Sequence, residues 1–125
     1  MGYEHKLIVV DVCENMPETV NGKRYFWGEK VATIEMGSVP AFFPLFDKTP
    51  TDCFYYADDG ETIITEDMYG KPLGMASVED VIKTVEKEIE EGGDPNYRRW
   101  KPLLGLLKGF DLSQWRNLVV LRFGH

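Results

Sequence analysis

The sequence predicts an α+β domain: an antiparallel or mixed sheet of about five strands, with two main helices packed on one face. Three observations carry that expectation. Apolar, β-rich runs of strand length stand near both ends of the chain and in its middle. One long amphipathic segment has a helix start signal before it and a Gly-Gly stop after it. The order strand, strand, plug, hairpin, two helices, strand suits a sheet with its helices on one side.

The first strand is His5 to Cys13, where Ile8, Val10 and Val12 share one face and Leu7 and Val9 the other. Apolar residues on both faces make it an interior strand. Glu14 to Lys23 reads as a long loop because it contains Pro17 and ends on the turn dipeptide Asn21-Gly22. The second strand, Arg24 to Met36, follows as the antiparallel partner of the first. In Val39 to Phe46, Pro40 can open a helical turn and Pro44 is expected to stop or kink it. The segment reads as a short plug that inserts Phe42, Phe43 or Phe46 into the core.

Phe54 to Ala57 and Thr62 to Thr65 flank Asp58-Asp59-Gly60-Glu61, a hairpin whose glycine tolerates positive φ. Glu66 to Ala76 is expected to be loop. Ser77 then caps a helix of about 14 residues, with Asp80 at capping-box spacing and Val78, Val81, Ile82, Val85 and Ile89 in one stripe. Gly92-Gly93 ends it. Asp94-Pro95 starts a second helix carrying Tyr97, Trp100, Leu103, Leu104 and Leu107, which Pro102 is expected to kink or split. Leu118 to Phe123 is an apolar run of strand length, expected beside the first strand.

At 125 residues the chain is one domain, 1–125, long enough for a core that needs no staple. No stretch approaches the roughly 20 apolar residues of a membrane span. The opening lacks a secretion-signal layout, so the expected compartment is the cytoplasm and Cys13 and Cys53 are expected reduced. The net charge of −7 disfavours nucleic-acid binding, which rests on clustered Lys and Arg. That charge is uneven. Residues 1–94 hold 20 acids against 8 bases, and residues 95–125 hold one acid against six bases.

Catalytic and metal motifs are missing from the sequence. There is no CxxC or HExxH spacing, no phosphate loop and no GxGxxG. A Ser-His or Cys-His nucleophile would have to rest on His5, with no signature around any serine or cysteine. No cofactor is expected.

The acidic cluster Asp58, Asp59, Glu61, Glu66 and Asp67 is the sharpest polar feature. It lacks the spacing of a Ca²⁺ loop, and an exposed hairpin tip offers no desolvation to make a catalytic pair. Two readings remain: a solvated turn that blunts a sheet edge, or a protein-binding surface in which Tyr55 and Tyr69 anchor and the carboxylates steer. Glu86 and Glu90 extend the acidic surface along the first long helix. Acids near a helix C-terminus oppose its dipole, so a balancing cation or partner is expected there. Arg98, Arg99 and Lys101, just across the turn, could supply it internally. Together with Tyr97 and Trp100, the same residues form an alternative anion-binding site, as in a nucleotide sponge.

The opening MGYEHKLIVVDV, the middle CFYYADDGETIITEDMYGKPL and the ending LLGLLKGFDLSQWRNLVVLRFGH resemble small uncharacterised proteins of bacteriophages and prophages. The likeness covers nearly the whole chain and brings no functional residues with it. It implies a context in which small acidic accessory proteins bind and disable a host or immune protein, as anti-CRISPR proteins do. The resulting expectation is a non-enzymatic binding protein, monomer or homodimer, contacting its partner through the acidic hairpin, the adjacent aromatics and the Glu-rich helix. An enzyme of unrecognised type is the remaining alternative.

Overall fold

In the computed structural model, residues 3–48, 51–92 and 97–125 are described. Six strands form one sheet: β1 (His5–Val20), β2 (Lys23–Gly37), β3 (Cys53–Tyr56), β4 (Ile63–Ile64), β5 (Gly74–Ser77) and β6 (Leu118–Gly124), in the order β4-β3-β2-β1-β6-β5. Three helices, α1 (Phe42–Asp47), α2 (Val78–Glu91) and α3 (Tyr97–Lys108), accompany it. All neighbouring strands are antiparallel except β2 and β3, so the sheet is mixed. No helix among the described residues is long and apolar enough to cross a membrane.

The alternation read in β1 sets the two faces. Leu7 and Val9 join Met36, Phe42, Phe46, Val81, Val85, Trp100, Leu103 and Val120 in the core beneath the helices. Ile8 and Val10 point the other way, into a second cluster with Cys53, Tyr55, Leu73 and Leu121. That second cluster exists because the sheet curls. β3 and β5 are separated in the sheet by β2, β1 and β6. Even so, Thr51, which leads into β3, donates from its backbone N–H to the Leu73 carbonyl (3.0 Å), and its Oγ1 lies 3.4 Å from Met75 Sδ of β5.

Several expectations are corrected. Glu14 to Lys23 is no long loop: β1 and β2 run up to a two-residue turn at Asn21 (φ 51°) and Gly22 (φ 80°), with Val20 opposite Lys23. Pro17 is accommodated by a bulge, since Cys13 pairs with Trp27 and Pro17 with Phe26, the next residue down the partner strand. Gly74–Ser77, expected as loop, is a sixth strand paired with β6. Pro44 neither stops nor kinks the plug: it stands third in α1, where a backbone N–H has no intrahelical acceptor to lose. Pro102 does not split α3, which continues through it to Lys108. The helix tolerates it because only one backbone hydrogen bond is forfeited, at the exposed Arg98 end.

α2 is capped as expected, with Ser77 Oγ accepting from the Asp80 N–H at 3.1 Å and Gly92 closing the helix at φ 68°. The segment 94–95, expected as the next cap, lies outside the described residues. Gly74 is where β5 presses on α1. A Cβ there would sit 2.5 Å from the Phe46 carbonyl oxygen and 2.7 Å from Phe46 Cβ. Gly74→Ala is therefore expected to lower stability by about 1–3 kcal/mol in chemical denaturation.

Candidate functional site

The turn between β3 and β4 carries Asp58, Asp59 and Glu61, all exposed. Asp59 Oδ1 accepts from the backbone N–H groups of Glu61 (2.9 Å) and Thr62 (2.8 Å). Together with the Thr62 hydroxyl, these donors hold its carboxyl at about 2. Asp58 Oδ1 meets Lys30 Nζ at 2.7 Å, and that hydrogen bond and charge hold its pKa below the usual carboxylate range. Glu61 has no ion pair among the described residues.

Two residues expected on the surface are internal. Asp67 is buried: its Oδ2 accepts from the Tyr3 hydroxyl at 2.8 Å, and its Oδ1 from the N–H groups of Tyr69 (2.8 Å) and Lys71 (3.0 Å). This carboxylate builds the 66–71 loop and is not displayed by it. Tyr55 is buried on the inner face of β3, in the second apolar cluster. Tyr69 is 56% exposed and stacks on Tyr3 at 5.2 Å, and its neighbour Met68 is 73% exposed. Glu66, also exposed, completes this loop.

The acidic pieces, distant in sequence, lie toward one end of the sheet. β3 runs parallel to β2, so its following turn points toward the end where β2 finishes, and Asp58 meets Lys30 at the middle of β2. The Met68 N–H donates to the carbonyl of Gly124 (3.0 Å), placing the 66–71 loop at the C-terminal end of β6, the same end of the sheet. α2 leaves β5 at Ser77, opposite Val119 at the start of β6, and runs back toward that end. The start of α3 is fixed there too, with Arg99 Nη1 donating to the Glu35 carbonyl at 3.2 Å.

Glu86 is paired with Lys108 Nζ at 3.1 Å. Glu88, Glu90 and Glu91 have no ion pair among the described residues, and the last turn of α2 contains no base. Arg98, Arg99 and Lys101 are exposed and make no ion pair with α2, so the internal neutralisation that the sequence allowed is not formed. The alternative anion site loses Trp100 as a stacking surface, because that side chain is fully buried against Phe42 at 5.7 Å. The Tyr97 side chain lies outside the described residues.

Sequence reasoning missed two features. The first is a buried polar cluster on the helix side of β1 and β6. Arg122 is 3% exposed, its Nη2 lies 2.6 Å from Asp47 Oδ1, and its guanidinium lies over the rings of Tyr3, Phe43 and Phe46. His5 is fully buried, edge-on to Phe42 and Phe43, and neither ring nitrogen makes a hydrogen bond. Burial first, and Arg122 second, push its pKa from 6.5 to about 4, opposed more weakly by Asp47 and the Val39 backbone. Aromatic rings surround this imidazole, an arrangement that packs it and leaves its nitrogens without a hydrogen-bond partner. The second feature is a cleft of about 330 Å³ on the inner face of the sheet, whose walls include Lys6, Lys30, Thr33, Tyr55 and Asp58.

Among the described residues, no group of three His, Cys, Asp or Glu side chains could hold a metal ion. Cys13 and Cys53 are both unbridged, and burial raises the pKa of the Cys53 thiol. No protein-family model, curated protein or solved structure matches this chain.

Proposed function

We propose that this chain is a non-enzymatic binding protein that docks a basic surface of a partner protein through its acidic end. Glu61, Glu66, Glu88 and Glu90 supply the steering charge, and Met68 and Tyr69 the apolar contact. The observation that carries this reading is the C-terminal turn of α2, where three glutamates face an unfavourable helix dipole with no base in that turn and no ion pair among the described residues. A basic partner adds the opposing charge that the turn itself lacks. The exposed Met68 and Tyr69 at the same end support the reading, since aromatic and Met side chains are enriched in interface cores. The resemblance to phage accessory proteins supports a bacterial host or immune protein as the partner, with the chain acting as an anti-CRISPR-like inhibitor in the host cytoplasm.

The test uses residues without a structural duty, which excludes Asp59 and Asp67. Replacing Glu61, Glu66, Glu88 and Glu90 together by Lys is expected to weaken partner capture from a bacterial lysate by about tenfold or more. The unmodified chain is expected to lose its partner at high salt. Undiminished capture by the folded quadruple variant would refute the reading.

A further inference from the structure

We infer that the cleft on the inner face of the curled sheet binds a small organic monocarboxylate with an apolar body. Its floor is apolar, formed by Ile8, Ile64 and Phe123, and its walls carry the ammonium groups of Lys6 and Lys30. The volume of about 330 Å³ falls within the usual range of small-molecule sites, roughly 300–1,000 Å³.

The charge of the ligand follows from which groups are already engaged. Glu35 on the rim is held by His125 Nε2 at 2.9 Å, and Asp58 by Lys30. Lys6 has no carboxylate partner among the described residues; its Nζ instead lies 4.7 Å from the centroid of Phe123. Lys30 stays with Asp58, so this pair brings no net charge to the cleft. Among the described residues the cleft therefore has one unpaired ammonium, that of Lys6, while its carboxylates Glu35 and Asp58 each already have a partner.

The second donor is Tyr55. The residue is 4% exposed and lines the cleft, and its hydroxyl has no hydrogen-bond partner among the described residues. Burial, with the Asp58 charge adding to it, raises this phenol to about 12, so at neutral pH it keeps its proton and donates. One ammonium group and one phenol suit the two oxygens of a carboxylate. A phosphate dianion would meet stronger repulsion from Asp58 and Glu35 on the rim. The apolar floor accepts the rest of the ligand.

Amide-resolved NMR titration with 3-phenylpropionate and hexanoate tests this assignment, with 3-phenylpropionamide and phenyl phosphate as controls. Saturable shifts are expected at Lys6, Ile8, Tyr55 and Phe123 with both carboxylates, with weaker binding by phenyl phosphate and by the uncharged amide. Lys6→Met is expected to weaken carboxylate binding by about tenfold, and the near-isosteric Tyr55→Phe by about threefold to tenfold. The melting temperature of Tyr55→Phe reports that the fold is kept. No saturable shift with either carboxylate, equal binding of the amide, tighter binding of phenyl phosphate, or unchanged affinity in the folded Tyr55→Phe variant would overturn the proposal.

Discussion

Val85→Asp is expected to destabilise the protein by about 3–5 kcal/mol, which takes roughly 10–20 °C off the melting temperature or abolishes folding. Val85 is fully buried on the inward stripe of α2, in the cluster that includes Val81, Trp100, Leu103 and Leu107. An aspartate there loses apolar contact and must either bury an unpaired charge or take up a proton, and both cost free energy. A domain holds only about 5–15 kcal/mol in total, so this is a large share. Ile89, on the same sequence stripe, provides the control. It is 41% exposed, because the stripe leaves the core in the last turn of α2, and Ile89→Gln, which adds no charge to that acidic turn, should cost no more than about 1 kcal/mol. Thermal melts of the two variants side by side check both halves of the expectation.

The second large effect is the loss of stability in mild acid. His5 titrates near 6.5 when unfolded and at about 4 when folded. Between those values the unfolded chain binds the proton and the folded one does not. Stability therefore rises with pH across the window and falls on acidification through it, by about 3 kcal/mol over its full width. Asp59, held at about 2 by its turn donors, acts in the same direction but loses its contribution only below its unfolded value of 3.8. The two windows hardly overlap, so urea denaturation at closely spaced pH values separates them. His5→Phe, which keeps a ring among Tyr3, Phe42 and Phe43, should flatten the profile between about 6.5 and 4. A profile in the variant as steep as in the parent chain would assign the acid sensitivity elsewhere.

Elements defined by their own pattern were legible in the sequence. The two-faced alternation of His5 to Val12 marks an interior strand, and it pairs with β2 on one side and β6 on the other. Ser77, the Val78–Val85 stripe and Gly92 define α2 almost residue by residue. What escaped was structure that neighbours impose. Gly-Met-Ala-Ser becomes β5 through hydrogen bonds to β6, which its composition does not announce. Glu14 to Thr19 is exposed on both faces, so it has no apolar alternation, and Pro17 argued for a loop where a bulge absorbs it.

The site divides the same way. Five acids in Asp58–Asp67 look alike in a sequence, yet Asp59 and Asp67 are committed to backbone N–H groups while Glu61 and Glu66 are displayed. Backbone geometry decides that difference. The cleft arises from sheet curl, which no local pattern encodes. One signal for the buried cluster was present: Arg122 is a lone cation in the apolar run Leu118 to Phe123, and a charge in such a strand needs a partner and an aromatic lining.

Hydrogen–deuterium exchange on the partner complex, compared with the free chain, examines the docking end most directly. Protection is expected in the 58–71 segment and in the last two turns of α2, with the exposed β1–β2 turn unchanged. Protection confined to that turn or to β5, with 58–71 exchanging as in the free chain, would contradict docking through the acidic end.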